Sequence, residues 1–155
     1  MTVQPTILCP VDFSTASAGA LRYAASVAAH VKTRVMALAV EDPVLTEALD
    51  LGTGIIWRAE DCKRELASFV AKTFGDDSAA RDSVECESAV GKPAAEILRM
   101  SRERPCDLIV MSSHGVTGAR KLFFGSTTER VLRETTKPVL VTPPAPLMLP
   151  STFRV

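Results

Sequence analysis

The 155-residue chain has no excess of charge of either sign and no long apolar run. It carries 18 basic and 18 acidic residues, which argues against binding to nucleic acid or to an acidic membrane, because such binding needs a concentrated basic face. No segment approaches the ~20 apolar residues that span a bilayer. Residues 1–5 also lack the basic start of a signal peptide. We expect no nucleic-acid partner and no membrane association.

Cysteine and histidine are scarce and scattered. The four cysteines are Cys9, Cys62, Cys86 and Cys106. They form no C-x-x-C pair and lie far in sequence from His30 and His114, which argues against a zinc site or a disulfide framework. Cys9 and Cys106 lie in or beside apolar runs and are expected to be small buried residues. Reduced thiols fit a cytoplasmic protein.

Three phosphate-binding motifs are missing. No G-x-G-x-x-G follows the first predicted strand, which disfavours a dinucleotide enzyme, and no G-x-x-x-x-G-K-[ST] is present for P-loop chemistry. Residues 12–17 do not form the glycine-rich S-G-G-x-D-S type of loop that adenylating enzymes of similar architecture use.

Strand-like and helix-like segments alternate regularly along the chain. Short apolar runs predict strands at 6–11, 34–40, 107–111 and 137–142, and alternation of apolar with acidic residues predicts a half-exposed edge strand at 84–90. Helical periodicity predicts helices at about 14–31, 57–74, 93–102 and 126–135. Residues 41–55 are interpreted as a long connection. This alternation predicts one α/β domain over residues 1–143, with a mostly parallel sheet and helices on both faces. The proline-rich segment 144–155 is expected to be an extended tail.

Local signals support these boundaries. Ser14 is predicted to cap the first helix, and Pro10 to end normal ladder pairing near the end of the first strand. One face of the first helix consists of small or apolar residues and is expected to pack on the sheet. This face comprises Leu21, Ala24, Ala25, Ala28 and Ala29.

The segment after the fourth strand is the most informative. It contains Gly115, then nine residues, then Gly125-Ser126-Thr127-Thr128-Glu129. A glycine-containing loop between a buried strand and a helix start is where α/β proteins hold phosphate, through loop amides and the helix N-terminus. The alternative for Ser126 is a capping box with Glu129, and for both glycines turn geometry with positive φ. Arg120 and Lys121 lie in the same loop, where their positive charges would either screen the charge of a bound phosphate or simply be exposed to solvent.

Two further residues follow strands at the same predicted edge of the sheet. Asp12 ends the first strand, and ligands in open α/β sheets bind beyond the strand carboxyl ends where the strand order reverses. Its carboxylate would accept from an adenine amino group or a ribose hydroxyl, or simply cap the helix. His114 is interpreted first as a loop residue, second as a ligand contact and last as a general base.

Taken together, these segments resemble the universal stress protein family over about residues 4–143. The resemblance is carried by residues 7–14, by 90–94, by 112–127 and by Pro138-Val139-Leu140-Val141. It implies a single three-layer, Rossmann-like domain of the adenine nucleotide alpha hydrolase-like type, with strand order 3-2-1-4-5. It also implies a homodimer, formed through strand five at about residues 138–143.

Members of this family that bind ATP carry G-x-x-G, nine residues, then G-[ST]. This chain has Ser112-x-x-Gly115, nine residues, then Gly125-Ser126, so Ser112 replaces the first glycine. The resemblance implies a full set of contacts to ATP, accompanied by Mg²⁺. The residues implied are Pro10, Asp12 and Val40 for adenine, Met111 and Ser112 near adenine and ribose, and Gly115, Gly125, Ser126 and Thr127 for phosphates.

The resemblance therefore implies an ATP-binding regulatory protein of the stress response that acts as a dimer. Two alternatives stay open. The first is a member that no longer binds nucleotide and serves as an interaction or dimerisation module, which the Ser112 replacement would favour. The second is a slow ATPase, for which no catalytic residue and no protein metal ligand is predicted.

Overall fold

The computed structural model describes residues 6–44, 59–114 and 124–144. The strands are β1 (Thr6–Val11), β2 (Arg34–Glu41), β3 (Val84–Val90), β4 (Cys106–Ser112) and β5 (Val139–Thr142). The helices in these ranges are α1 (Thr15–Val31), α2 (Ala59–Phe74), α3 (Ser78–Asp82), α4 (Pro93–Glu103) and α5 (Ser126–Glu134). Most of the predicted 41–55 connection, Gly115, Arg120, Lys121 and residues 145–155 of the predicted tail lie outside the described residues.

The five strands form one parallel sheet in the order β3-β2-β1-β4-β5. The predicted architecture and strand order are confirmed, and the fold is of the α/β, Rossmann-like type. The chain runs outward from β1 through β2 to β3, and then returns to place β4 on the other side of β1. The strand order therefore reverses between β1 and β4, which is where ligands bind in sheets of this kind.

Helices cover both faces because alternate side chains of each buried strand point to opposite sides. On one face, α1 and α2 pack over a cluster that includes Cys9, Val35 and Val110. On the other face, α4 and α5 pack over a cluster that includes Leu8 and Ile109. In the described part of the chain, no helix is long and apolar enough to cross a membrane.

Several boundaries agree with the sequence, and two details do not. Ser14 caps α1 as predicted, since its side chain accepts from the amide of Ser17. Leu21, Ala24, Ala25 and Ala28 of the predicted packing face are buried, but Ala29 is exposed. The short helix α3 was not predicted. The Asp77 side chain accepts from the Ala80 amide and caps the start of this helix. Asp77 follows Gly75 by two residues, so the sequence alone does not distinguish this cap from the turn that ends α2.

Candidate functional site

Pro10 opens a gap between β1 and β4. The amide of Thr6 donates to the Pro105 carbonyl at 2.9 Å, so the even-numbered residues of β1 direct their backbone groups toward β4. Pro10 is one of them and has no N–H to give. The β1–β4 register runs to Leu8, whereas the β1–β2 register continues to Val11. The prediction that Pro10 ends ladder pairing is therefore correct on the β4 side and wrong on the β2 side.

One wall of this crevice is the turn from β1 into α1. Asp12 is exposed, and its Oδ1 accepts from the Ser14 amide at 3.1 Å and from the Ser14 hydroxyl at 2.5 Å. The expectation that Asp12 caps the helix is wrong, since Ser14 is the N-cap of α1 and no acidic residue lies in its first turn. The expected contact of Asp12 with a ligand stays a prediction. Phe13, which lies between Asp12 and Ser14, has φ of 63°, a left-handed conformation that is uncommon for a residue other than glycine.

The opposite wall is formed where β4 ends and α5 begins. The amide of Gly125 donates to the Ser113 carbonyl at 2.7 Å, and the Ser113 amide donates to the Thr142 carbonyl at 2.8 Å. The buried hydroxyl of Thr128 donates to the Ser112 carbonyl at 2.9 Å. These three bonds hold the first turn of α5 against the carboxyl ends of β4 and β5.

The predicted capping box at Ser126 is wrong. Gly125 occupies the N-cap position, and no side chain caps α5 in the described structure. Ser126 is the first helical residue and is exposed, while the Glu129 carboxylate pairs with Arg133 at 2.6 Å. The expected positive φ at Gly125 is also wrong, since its φ is −68°. The first-turn amides, at Ser126, Thr127 and Thr128, have no partner within the helix.

Ser112, which stands where the ATP motif has glycine, is 8% exposed. Its hydroxyl donates to the His114 carbonyl at 2.8 Å. The side chain is thus bound within the turn that follows β4, rather than extended toward the crevice. The Ser113 hydroxyl lies 3.0 Å from Nδ1 of His114, a neighbour that keeps the imidazole in the same turn.

The residues predicted to contact adenine lie on one face of the sheet. Met111 belongs to the cluster on the α4 and α5 face, and Val40 packs against that cluster. Pro10 lies two residues beyond Leu8 of the same cluster, and therefore on the same face. The structure thus places these three residues on one face of the sheet, near the carboxyl ends of β1, β2 and β4, while Gly115 lies outside the described residues.

Three polar residues of this region were not predicted: Ser113, Thr128 and Thr142. Thr128 could have been found, because a threonine at the third helical position after a glycine is placed to reach back to the preceding strand. Thr142 could not, because its burial depends on the sheet. It is 2% exposed, and its hydroxyl has no hydrogen-bond partner among the described residues.

Two other features lie away from the crevice. A cavity of about 430 Å³ lies between α1, the end of α2 and α3, and its lining includes Arg22, Phe74 and Asp77. No predicted site residue lines it. Cys9 is fully buried in β1, and this burial raises the pKa of its thiol from 9.0 to about 12. It is therefore a neutral core residue, as expected from its apolar surroundings.

Comparison with known proteins agrees with this architecture. The sequence profile of the universal stress protein family matches residues 5–143. The chain belongs to the universal stress protein family. It is 32% identical over 145 residues to the universal stress protein YxiE of Bacillus subtilis, covering 87% of this chain and 96% of YxiE.

Solved structures of the family superpose closely. The chain matches protein MJ0577 of Methanocaldococcus jannaschii with a TM-score of 0.72 and 26% identity, covering 92% of this chain and 97% of MJ0577. Two more distant structures share the fold, at 16% identity with a TM-score of 0.62 and at 21% identity with a TM-score of 0.59. The first is a universal stress protein in complex with cAMP, and the second is the Archaeoglobus fulgidus universal stress protein in complex with dAMP.

Proposed function

We propose that this universal stress protein binds an adenine nucleotide, ATP with Mg²⁺ in the first instance, in the crevice between β1 and β4, and acts as a regulatory dimer. The observation that carries the proposal is the start of α5. Its first-turn amides lack a side-chain cap in the described structure, and two hydrogen bonds, from the Gly125 amide and the Thr128 hydroxyl, hold this turn beside the end of β4. Uncapped amides at a helix N-terminus favour phosphate.

The remaining predicted contacts would complete the site. Pro10, Val40 and Met111 would contact adenine, and Asp12 would accept from its amino group or from ribose. The bond of the Ser112 hydroxyl to the His114 carbonyl supports this, because it keeps the hydroxyl within the turn that follows β4. Gly125, Ser126 and Thr127, with Gly115, would hold phosphates. Mg²⁺ would come with the triphosphate, since this ion keeps several waters and needs few carboxylates.

Dimerisation through β5 is supported by the contrast between the two sheet edges. The edge strand β3 carries Glu85 and Glu87, and charged side chains discourage pairing with another strand. The edge strand β5 has the sequence Val-Leu-Val-Thr and carries no charge. A second copy of β5 is the partner that matches this edge.

Thermal unfolding with and without ligand tests the nucleotide site. Mg·ATP at ~100 times its dissociation constant should add about 2.7 kcal/mol to the free energy of unfolding, which is several degrees for a domain of ~150 residues. Adenosine and Mg·triphosphate, each alone, should give smaller shifts that report the two halves of the site. No shift with ATP, ADP or AMP at millimolar concentration would favour the interaction module instead. Phosphate release above about one turnover per minute would favour an enzyme, since typical enzymes are far faster.

A further inference from the structure

The turn between β1 and α1 contains a backbone conformation that its residue does not favour. In the described ranges, two residues other than glycine have positive φ, Phe13 at 63° and Lys32 at 56°. Lys32 ends α1 in the left-handed conformation that commonly terminates a helix. Phe13 instead directly precedes Ser14, the N-cap of α1, where a left-handed residue terminates no helix, and this conformation is costly for a bulky residue. Neighbouring structure must therefore hold it there.

The neighbour is Phe69 of α2. The rings of Phe13 and Phe69 meet edge to face, with centroids 5.5 Å apart and an interplanar angle of 88°, a preferred arrangement for aromatic pairs. Phe69 is fixed in turn, because it lies between Leu66 and Val70, which are 0% and 3% exposed. Both rings pack against the core cluster under α1 and α2.

The conformation of Phe13 decides where Asp12 lies. Asp12 and Ser14 flank it, and the Asp12 carboxylate accepts from both the amide and the hydroxyl of Ser14. The Ser14 hydroxyl also accepts from the Ser17 amide in the first turn of α1. A change to negative φ at residue 13 would rotate Asp12 away from Ser14 and break this chain of hydrogen bonds.

We propose that the Phe13–Phe69 ring pair is a positioning element of the nucleotide site. It keeps residue 13 left-handed and so holds the Asp12 carboxylate at the β1–β4 crevice. Nucleotide affinity then depends on a core residue of α2 that does not touch the ligand. This inference rests on the proposed function, because it assumes that Asp12 contacts the nucleotide.

A suppression experiment separates positioning from general packing. Phe69→Ala should weaken Mg·ATP binding about tenfold, because a residue 13 that is left-handed only about one-tenth of the time lowers the apparent affinity by that factor. The double variant Phe69→Ala with Phe13→Gly should return to within about threefold of the original affinity, since glycine adopts positive φ without penalty. Affinity is measured by calorimetry under conditions where urea titration shows each variant to be fully folded.

Phe74→Ala is the matched control. Phe74 is a phenylalanine of the same helix that packs on the same cluster, but it lines the distant cavity. Its loss should destabilise the fold without changing the affinity. Equal affinity of Phe69→Ala and the original chain, or no recovery in the double variant, would overturn the proposal.

Nuclear magnetic resonance gives a second test that needs no ligand. The intraresidue amide-to-Hα coupling and cross-relaxation of residue 13 report its φ directly. The original chain should show positive φ, and Phe69→Ala should lose it; persistence of positive φ would refute the ring pair as the cause. If the original chain binds no adenine nucleotide, the proposed function fails, while this measurement still decides the role of the ring pair.

Discussion

The hydroxyl of Thr128 donates to the carbonyl of Ser112 at 2.9 Å, and both residues are buried. The two residues are 16 positions apart in sequence, and the bond joins the end of β4 to the first turn of α5. It thereby fixes the distance between the sheet and the amides proposed to hold phosphate.

Thr128→Val should remove this bond while keeping the shape of the side chain. The Ser112 carbonyl would remain buried without its donor, so we expect a loss of about 1–3 kcal/mol in the free energy of unfolding, measured by urea titration, together with weaker nucleotide binding. Thr128→Ser keeps the hydroxyl and should retain the affinity despite losing a methyl group. A Thr128→Val variant as stable as the original would mean that the bond contributes little.

Gly125→Ser should weaken nucleotide binding without weakening the fold. The backbone of Gly125, with φ −68° and ψ 157°, resembles that of Ser14, with φ −77° and ψ 160°, whose side chain caps α1. A serine here would therefore accept from the first-turn amides of α5 and compete with phosphate for them.

We expect unchanged or slightly higher stability and an affinity at least about tenfold lower by calorimetry. Gly125→Ala adds a Cβ but no hydrogen-bond acceptor. It therefore distinguishes steric crowding of the phosphate by the new side chain from competition of the serine hydroxyl for the α5 amides. If serine leaves the affinity as it was, the phosphates do not lie at α5.

The stability of the fold should fall at alkaline pH because of Cys9. Its pKa is about 12 in the folded chain against an ordinary value of 9.0, so below pH 9 the thiol is protonated in both states. Between these values the unfolded chain loses the proton and the folded chain keeps it, so stability falls as pH rises, by up to about 1.4 kcal/mol per pH unit.

Cys9→Ala should flatten this dependence, as measured by urea titration at pH 8, 9, 10 and 11. Cys86→Ala, at a half-buried position of β3, should alter the slope less. If the free energy of unfolding falls equally steeply with pH in Cys9→Ala and in the original chain, Cys9 is not the cause of the fall, because every other ionisable group is common to the two.

Val141→Pro should separate the proposed dimer and leave the monomer folded. The amides of Ile109 and Ser113 donate to the carbonyls of Pro138 and Thr142, so the even-numbered residues of β5 face β4. Val141 therefore directs its N–H outward, and proline is tolerated at such edge positions.

Light scattering after size exclusion should report a monomer with unchanged circular dichroism. Ser88→Pro makes the same change at an outward position of β3 and should leave the dimer intact. A Val141→Pro variant that remains dimeric would place the interface elsewhere.

The features that the sequence predicted are those with a local cause. Apolar runs bounded by turn residues located four of the strands, alternation of apolar with acidic residues located the edge strand β3, and the Ser14 cap was evident because serine precedes a helical pattern. The crevice followed from the strand order that the family resemblance implies, because Asp12 and Ser112 each lie where a strand ends and parallel strands end at one edge.

The features that the sequence did not predict depend on contacts between distant segments. Nothing in the identity of Phe13 indicates positive φ, which requires the ring of Phe69 from another helix. The N-cap of α5 was placed one residue late, at Ser126 instead of Gly125, because Ser126 and Glu129 match a capping box as well as Gly125 matches an N-cap. The bond of Thr128 to Ser112 decides between them, and it exists only once β4 and α5 are packed.

The unlike edges of the sheet also set how far assembly can go. If two copies join through β5, their five-stranded sheets become one sheet whose two outer strands are both β3. Each of those strands presents Glu85 and Glu87, and Glu87 is already paired with Lys63 and Arg104 of its own chain. A third copy would find acidic side chains at either end, so such an assembly would close at two copies instead of growing into a fibre.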